Sequence, residues 1–193
     1  MGDAPELLAL ENQLGAIDRD AQALTSGLTE ELGAWCASPN SWSVAQCLDH
    51  LATANRVYLA AMQPAALSAQ QQRRWRRGPA LPGIVGRFFV RTLEPPVKRL
   101  LRMNSPRSIR PEEAPSLNEA LAKFVASQNE VLAFMRRNAN LDLARIRFPN
   151  PFIRGVRFSL ATGLHVIAAH ARRHLWQAWR VRRAAEQGVN SEG

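Results

Sequence analysis

Two cysteines in 193 residues, Cys36 and Cys47, are too few and too irregularly spaced for a disulfide framework or a cysteine-rich zinc site, so both are read as free thiols. Lysine is as scarce: Lys98 and Lys123 are the only two, and arginine supplies the rest of the 25 basic residues. No apolar run approaches the roughly 20 residues needed to span a bilayer, so no membrane span is expected. The first ten residues are acidic and contain a proline, with no basic start and no small-residue cleavage site, so no secretory signal is expected and the protein is placed in the cytoplasm. A G-x-S-x-G elbow and a G-x-x-x-x-G-K-[ST] phosphate loop are both missing, which removes serine hydrolases of that type and P-loop enzymes. Zinc-finger, RRM and basic-zipper patterns are missing as well.

What is present is an uneven charge. The net charge is +9, but residues 1–50 hold one arginine against eight acids, and residues 51–193 hold 24 basic residues against eight acids. Such a basic region can attract nucleic acid or an anionic membrane surface. The near-exclusive use of arginine beside abundant alanine also follows from GC-rich coding, which favours an ordinary solvated surface. A local case is Arg73, Arg74, Arg76 and Arg77 around Trp75. Interleaved arginine and aromatic residues suit stacking on nucleobases, and a solvated loop with a locally packed tryptophan is the alternative.

With 46% hydrophobic residues, the chain can bury one core, and residues 1–193 are read as one domain that could pair as a homodimer. Leu7, Leu10, Leu14, Ile17, Ala21, Leu24 and Leu28 recur at three- and four-residue steps, which predicts a first helix that Gly27 ends or kinks. Leu28–Trp35 forms a short further turn before the loop at Ser38. Ser43 and Gln46 make an S-x-x-Q capping box, with Trp42 and Cys47 at the staple positions. The second helix therefore starts there, presents Val44, Cys47, Leu48, Leu51, Tyr58 and Met62 on one face, and ends near Pro64.

Prolines and glycines punctuate residues 64–115, where only short amphipathic helices are expected, over Ile84–Leu93 and Val97–Met103. Ser116 and Glu119 form a second capping box for a third helix with Leu117, Leu121, Phe124, Val131 and Met135 on its core face. Gln128 interrupts that face, either as a hydrogen-bonded core amide or as a contact to a bound ligand. Asn150 to Arg157 reads as a loop. Ser159 caps a long fourth helix that runs to about Gln187, before Gly188. β signals are weak throughout, and four substantial helices make the expected fold all-α, a four-helix bundle with a proline-rich insertion between helices two and three.

On the fourth helix, His170 and His174 lie four residues apart and share one face, close enough to bind one ion. Ile167 and Ala178 continue that stripe, so the pair should face the core. Such pairs also occur as ordinary surface or core histidines. His50 is the third candidate, at the margin of the apolar face of helix two, where metal coordination would satisfy a buried imidazole. Three histidines from two helices leave coordination positions open, as catalytic sites do. His165 is rotated from His170 by about 140° and from His174 by about 180° at 100° per residue, so it belongs to another face. Cys47 is read as a small buried hydrophobe rather than a fourth ligand. His170-Ala171-Arg172-Arg173-His174 lacks the glutamate of zinc-protease helices, which disfavours peptide hydrolysis by that route.

Trp42-Ser43-Val44 with Gln46, Asp49-His50-Leu51, and His170-Ala-Arg-Arg-His174-Leu-Trp-Gln177 together resemble the DinB-like (YfiT-type) superfamily over about residues 5 to 185. Ser-Pro-Arg-Ser-Ile-Arg-Pro before helix three resembles its DinB_2 branch. The resemblance implies an up-down-down-up bundle in which His50, His170 and His174 hold a divalent metal, commonly nickel or zinc. It also implies activities such as metal-dependent hydrolysis or low-molecular-weight-thiol S-transfer, with a thiol as possible co-substrate and a small-molecule substrate that stays unspecified. Arg154, Arg173, Trp176 and Gln177 are weaker candidates for anion binding or for supporting the metal ligands. Asp49 and Glu130 are the carboxylates to test as bases. A non-catalytic module that recognises an anionic partner such as nucleic acid through its arginines is the alternative function.

Overall fold

A computed structural model describes residues 4–38, 41–96, 106 and 109–191. The elements in chain order are α1 (Pro5–Thr25), α2 (Glu30–Ala34), α3 (Val44–Gln71), α4 (Ile84–Leu93), α5 (Leu117–Arg137), β1 (Arg147–Pro149), β2 (Arg157–Ser159) and α6 (Leu160–Ser191). The fold is mostly helical, and α1, α3, α5 and α6 form the bundle. The expected helix over Val97–Met103 lies outside the described residues.

The helices pack as α1 on α5 and α6, and α3 on α5 and α6, which leaves α1 diagonal to α3. Their directions follow from the side chains that meet. Gln13 meets Arg172, Asp20 meets Trp179 and Leu24 meets Arg182, so α1 and α6 are parallel. Asp49 meets Lys123, Asn55 meets Gln128 and Gln70 meets Asn138, so α3 and α5 are parallel too. His50 against His170 and Met62 against Gly163 make α3 antiparallel to α6. Glu11 against Arg136 makes α1 antiparallel to α5. This is the up-down-down-up order. Parallel neighbours need a connection that returns the length of a helix, about 42 Å for the 28 residues of α3. The proline-rich segment between α3 and α5 supplies it.

Local rules account for most helix ends. The apolar face of α1 is fully used: Leu7, Leu10, Leu14, Ile17, Ala21 and Leu24 are all buried. Gly27 follows with φ +70°, a left-handed turn that glycine takes without Cβ strain. At α3 both halves of the capping box form, with Ser43 Oγ accepting from the Gln46 N–H and Gln46 Oε1 accepting from the Ser43 N–H, each at 3.1 Å. Ser159 Oγ accepts from the Thr162 N–H at 3.1 Å and caps α6 as expected.

Four expectations need correction. Helix α3 passes through Pro64 to Gln71. Pro64 and Ala60 lie on the exposed side, so the carbonyl that loses its partner can be hydrated, while buried Met62, Ala66 and Ala69 hold the last turns to the core. Helix α6 continues through Gly188 to Ser191, because Gly188 does not take the left-handed conformation that ends a helix. The loop around Asn150 is a hairpin, in which β1 and β2 pair antiparallel with Phe148 opposite Phe158. At α5, Ser116 Oγ accepts from the Glu119 N–H, but the other first-turn donors go to a carboxylate from α2: Glu30 accepts from the Leu117 N–H at 2.6 Å and the Asn118 N–H at 3.1 Å. Those bonds hold the Glu30 pKa below its ordinary value.

Candidate metal centre

The capping box of α3 also positions the site. Gln46, having satisfied the Ser43 N–H, turns its amide nitrogen outward and donates to the Glu113 carbonyl at 2.9 Å and the Glu112 carbonyl at 3.3 Å. One turn later Asp49, 4% exposed, accepts from the Glu112 N–H at 3.0 Å and faces Lys123 Nζ at 3.5 Å. These bonds lay the end of the proline-rich connection across the first turns of α3. The Ile109 carbonyl is thereby brought to His50 Nδ1 at 2.6 Å.

That carbonyl can only accept, so Nδ1 of His50 carries the proton and Nε2 keeps its lone pair. Nε2 points between α3 and α6 and meets His170 Nε2 at 3.3 Å. His174, one turn further along α6, brings its ring centroid to 4.6 Å from those of both His50 and His170. One nitrogen from each of the three rings lies within 4.8 Å of the others. Trp42, at the staple position, packs against His50 with centroids 4.7 Å apart and stacks on His174 at 5.6 Å.

Burial lowers the pKa of all three imidazoles by penalising the charged form, and their mutual repulsion once protonated adds to this for His170 and His174. For His170 the value is pushed down to about 3. His50 is 1% exposed, whereas His170 and His174 sit deep in the bundle but keep part of their surface open. The cluster thus consists of neutral rings, one buried and two partly exposed.

The residues fit a divalent metal. Zinc–imidazole bonds of about 2.0–2.1 Å in a tetrahedron put neighbouring nitrogens roughly 3.3 Å apart, the separation seen between His50 and His170. His174 Nδ1 is buried with no hydrogen-bond partner. Neutral imidazoles with available lone pairs are the donor set such an ion requires.

His165 stays outside the cluster. It faces Arg172 and Glu94, and burial lowers its pKa first, with Arg172 adding to the effect. Cys47 is fully buried and its thiol is pushed up to about 12 by burial, so it remains a packed thiol. The charge of Arg173 lowers the pKa of His170 and His174, and the Gln177 side chain lies against His174 and opposes that shift. Trp176 is half-buried on α6 under the Arg180 guanidinium, 4.8 Å from its ring centroid. Arg154 is exposed in the β1–β2 connection, and none of the contacts described for the histidines includes it.

Gln128 is a core amide that accepts from Asn55 Nδ2 at 3.1 Å. Glu130 pairs with Arg56 at the surface, and Asp49 is held by the Glu112 N–H and Lys123, so neither carboxylate is poised as a base at the cluster. Sequence reasoning missed Ile109 altogether and saw Trp42 only as a staple. For Trp42 a signal existed, since an aromatic residue at the mouth of a helix that carries a ligand candidate is placed to cover it. For Ile109 there was none, because its contribution is a backbone carbonyl.

The bundle and its histidines define a class: an up-down-down-up four-helix bundle with a three-histidine cluster between its second and fourth long helices. The family model DinB_2, described as the DinB superfamily, matches residues 13–178, and the chain belongs to that superfamily. No curated protein and no solved structure matches the chain. No helix among the described residues is long and apolar enough to cross a membrane.

Proposed function

We propose that the protein is a metal-dependent enzyme of the cytoplasm, a hydrolase or a low-molecular-weight-thiol S-transferase, with His50, His170 and His174 as the ligands of nickel or zinc. The observation that carries this reading is the convergence of three neutral imidazoles from two helices, with one nitrogen of each within 4.8 Å of the others. A divalent ion bound there supplies Lewis acidity that lowers the pKa of a water or a thiol toward neutrality.

The chain's own residues do the rest. Ile109 fixes the His50 tautomer through Nδ1, which keeps Nε2 available as a ligand and resists rotation of the ring. Trp42 covers two of the three rings and excludes water from that side. The positive charge of Arg173 acts on His170 and His174, which favours an anionic nucleophile or substrate beside them. With Asp49 and Glu130 both engaged elsewhere, no carboxylate is assigned the role of base, and a thiol that enters as thiolate needs none.

The test is a thiol-consumption assay. Protein reconstituted with nickel or zinc is mixed with a panel of low-molecular-weight thiols and an electrophilic acceptor, in parallel with ester and amide substrates. The expected result is turnover with one thiol or one ester that is lost in His50→Ala and after chelation. Turnover that is indifferent to both treatments would refute the enzyme reading.

A further inference from the structure

The hairpin that sequence reasoning missed turns two arginines toward the end of α3. Alternate residues of paired strands share a face, so Arg147, Pro149, Arg157 and Ser159 lie on one side and Phe148 and Phe158 on the other. The phenylalanines are buried, whereas Arg147 and Arg157 are exposed. In the register observed, with Arg147 opposite Ser159 and Arg157 opposite Pro149, the two arginines are diagonal neighbours. Such positions are about 7–8 Å apart, within reach of one small anion.

A third arginine arrives from α3. Its last turn closes with the Arg74 N–H on the Ala69 carbonyl at 2.9 Å and the Arg73 N–H on the Gln70 carbonyl at 3.0 Å, a Schellman motif. The Asp142 N–H then donates to the Arg74 carbonyl at 3.0 Å and ties this turn to the segment that leads into β1. Arg74, Arg147 and Arg157 line a cavity of about 530 Å³ together with Ser68, Gln72 and an apolar floor that includes Ile146. That volume lies within the roughly 300–1,000 Å³ typical of small-ligand sites. Ser68 is about 27 Å along α3 from His50 at the helical rise, so this groove is separate from the histidine cluster.

Among the described residues no carboxylate pairs with Arg74, Arg147 or Arg157. The one hydrogen bond described for their guanidinium groups runs from Arg157 to the Arg147 carbonyl at 3.1 Å. Like charges gathered on fixed backbone repel one another, and an anion relieves that repulsion. Guanidinium forks match the oxygens of a phosphoryl group, and the Ser68 hydroxyl, which accepts from Gln72 Nε2 at 2.9 Å, keeps its own hydrogen as a neutral donor.

We propose that this groove is a second binding site, which takes the phosphoryl group of a nucleotide-sized anion. The phosphoryl group can come from a free phosphate ester or from the backbone of a single-stranded nucleic acid, and two probes separate these sources. The full chain is titrated calorimetrically at low salt with inorganic pyrophosphate and with a short single-stranded oligonucleotide. Arg74→Ala, Arg157→Ala, the double variant, Arg157→Lys and His170→Ala are titrated in parallel, with circular dichroism to confirm that each is folded.

The expected result is binding of at least one probe, weakened about tenfold by either single alanine substitution, as for loss of one charge-assisted bond pair. The double variant loses detectable binding and His170→Ala binds as wild type. Arg157→Lys weakens binding although the net charge is unchanged. The probe bound more tightly by wild type identifies the source. Failure of wild type to bind either probe, or equal binding by the double variant, would overturn the proposal.

Discussion

His50 and His170 aim Nε2 at Nε2 across 3.3 Å, from helices that run in opposite directions and from positions 120 residues apart. Two neutral imidazoles at this distance can share one proton at most, and His50 already commits its own to the Ile109 carbonyl. A metal ion held between the rings would accept both lone pairs, with His174 as the third donor.

The same burial predicts how the metal-free protein responds to acid. His170 has a folded pKa of about 3 against an ordinary value of 6.5. Between those limits the unfolded chain binds the extra proton and the folded chain does not, so stability rises with pH across that window. The contribution is complete above about pH 6.5 and is lost as the pH falls toward 3. Chelated wild type should therefore melt at progressively lower temperature from pH 7 to pH 4, and His170→Gln should flatten that profile. Differential scanning calorimetry over this range checks it; identical slopes for the two proteins would contradict it.

A second prediction concerns the approach of α6 to α3. A Cβ placed on Gly163 would lie 2.9 Å from Met62 Sδ and 2.9 Å from the Phe148 ring, both of them fully buried. Neither neighbour has space to retreat, so Gly163→Ala should destabilise the fold by about 1–3 kcal/mol, the usual cost of overpacking. Chemical denaturation measures this directly. Gly78→Ala, where a Cβ would meet nothing within 4 Å, is the control and should leave the midpoint nearly unchanged.

Arg73 gives a prediction of opposite sign. It holds φ +52° at the end of α3, in the seat that glycine usually takes. A side chain in the left-handed region costs roughly 1–2 kcal/mol, partly offset by the greater freedom glycine has in the unfolded chain. Arg73→Gly should raise the denaturation midpoint modestly. A lower midpoint would mean that the arginine side chain stabilises the turn by more than its backbone costs.

The sequence made some of this legible and concealed the rest for physical reasons. His170 and His174 were readable because four residues is one helical turn, and His50 because the capping box fixed where α3 begins. The core face of α1 was readable because the hydrophobic period is unbroken over six positions. The β1–β2 hairpin was hidden because three-residue strands are too short to display a period of two. Pro64 and Gly188 misled because each terminates a helix only where local geometry demands it, and packing on the other face of α3 outweighed one lost hydrogen bond. Glu30 capping α5 and Ile109 orienting His50 are contacts between distant segments, and no local pattern encodes them.

The central claim is that His50, His170 and His174 bind one divalent metal, and elemental analysis of purified protein tests it most directly. Wild type, either as isolated or after reconstitution with nickel or zinc, should carry a stoichiometric ion that His170→Ala and His174→Ala lose while remaining folded. A wild type that stays empty after reconstitution, or substituted proteins that retain the full complement of metal, would contradict it.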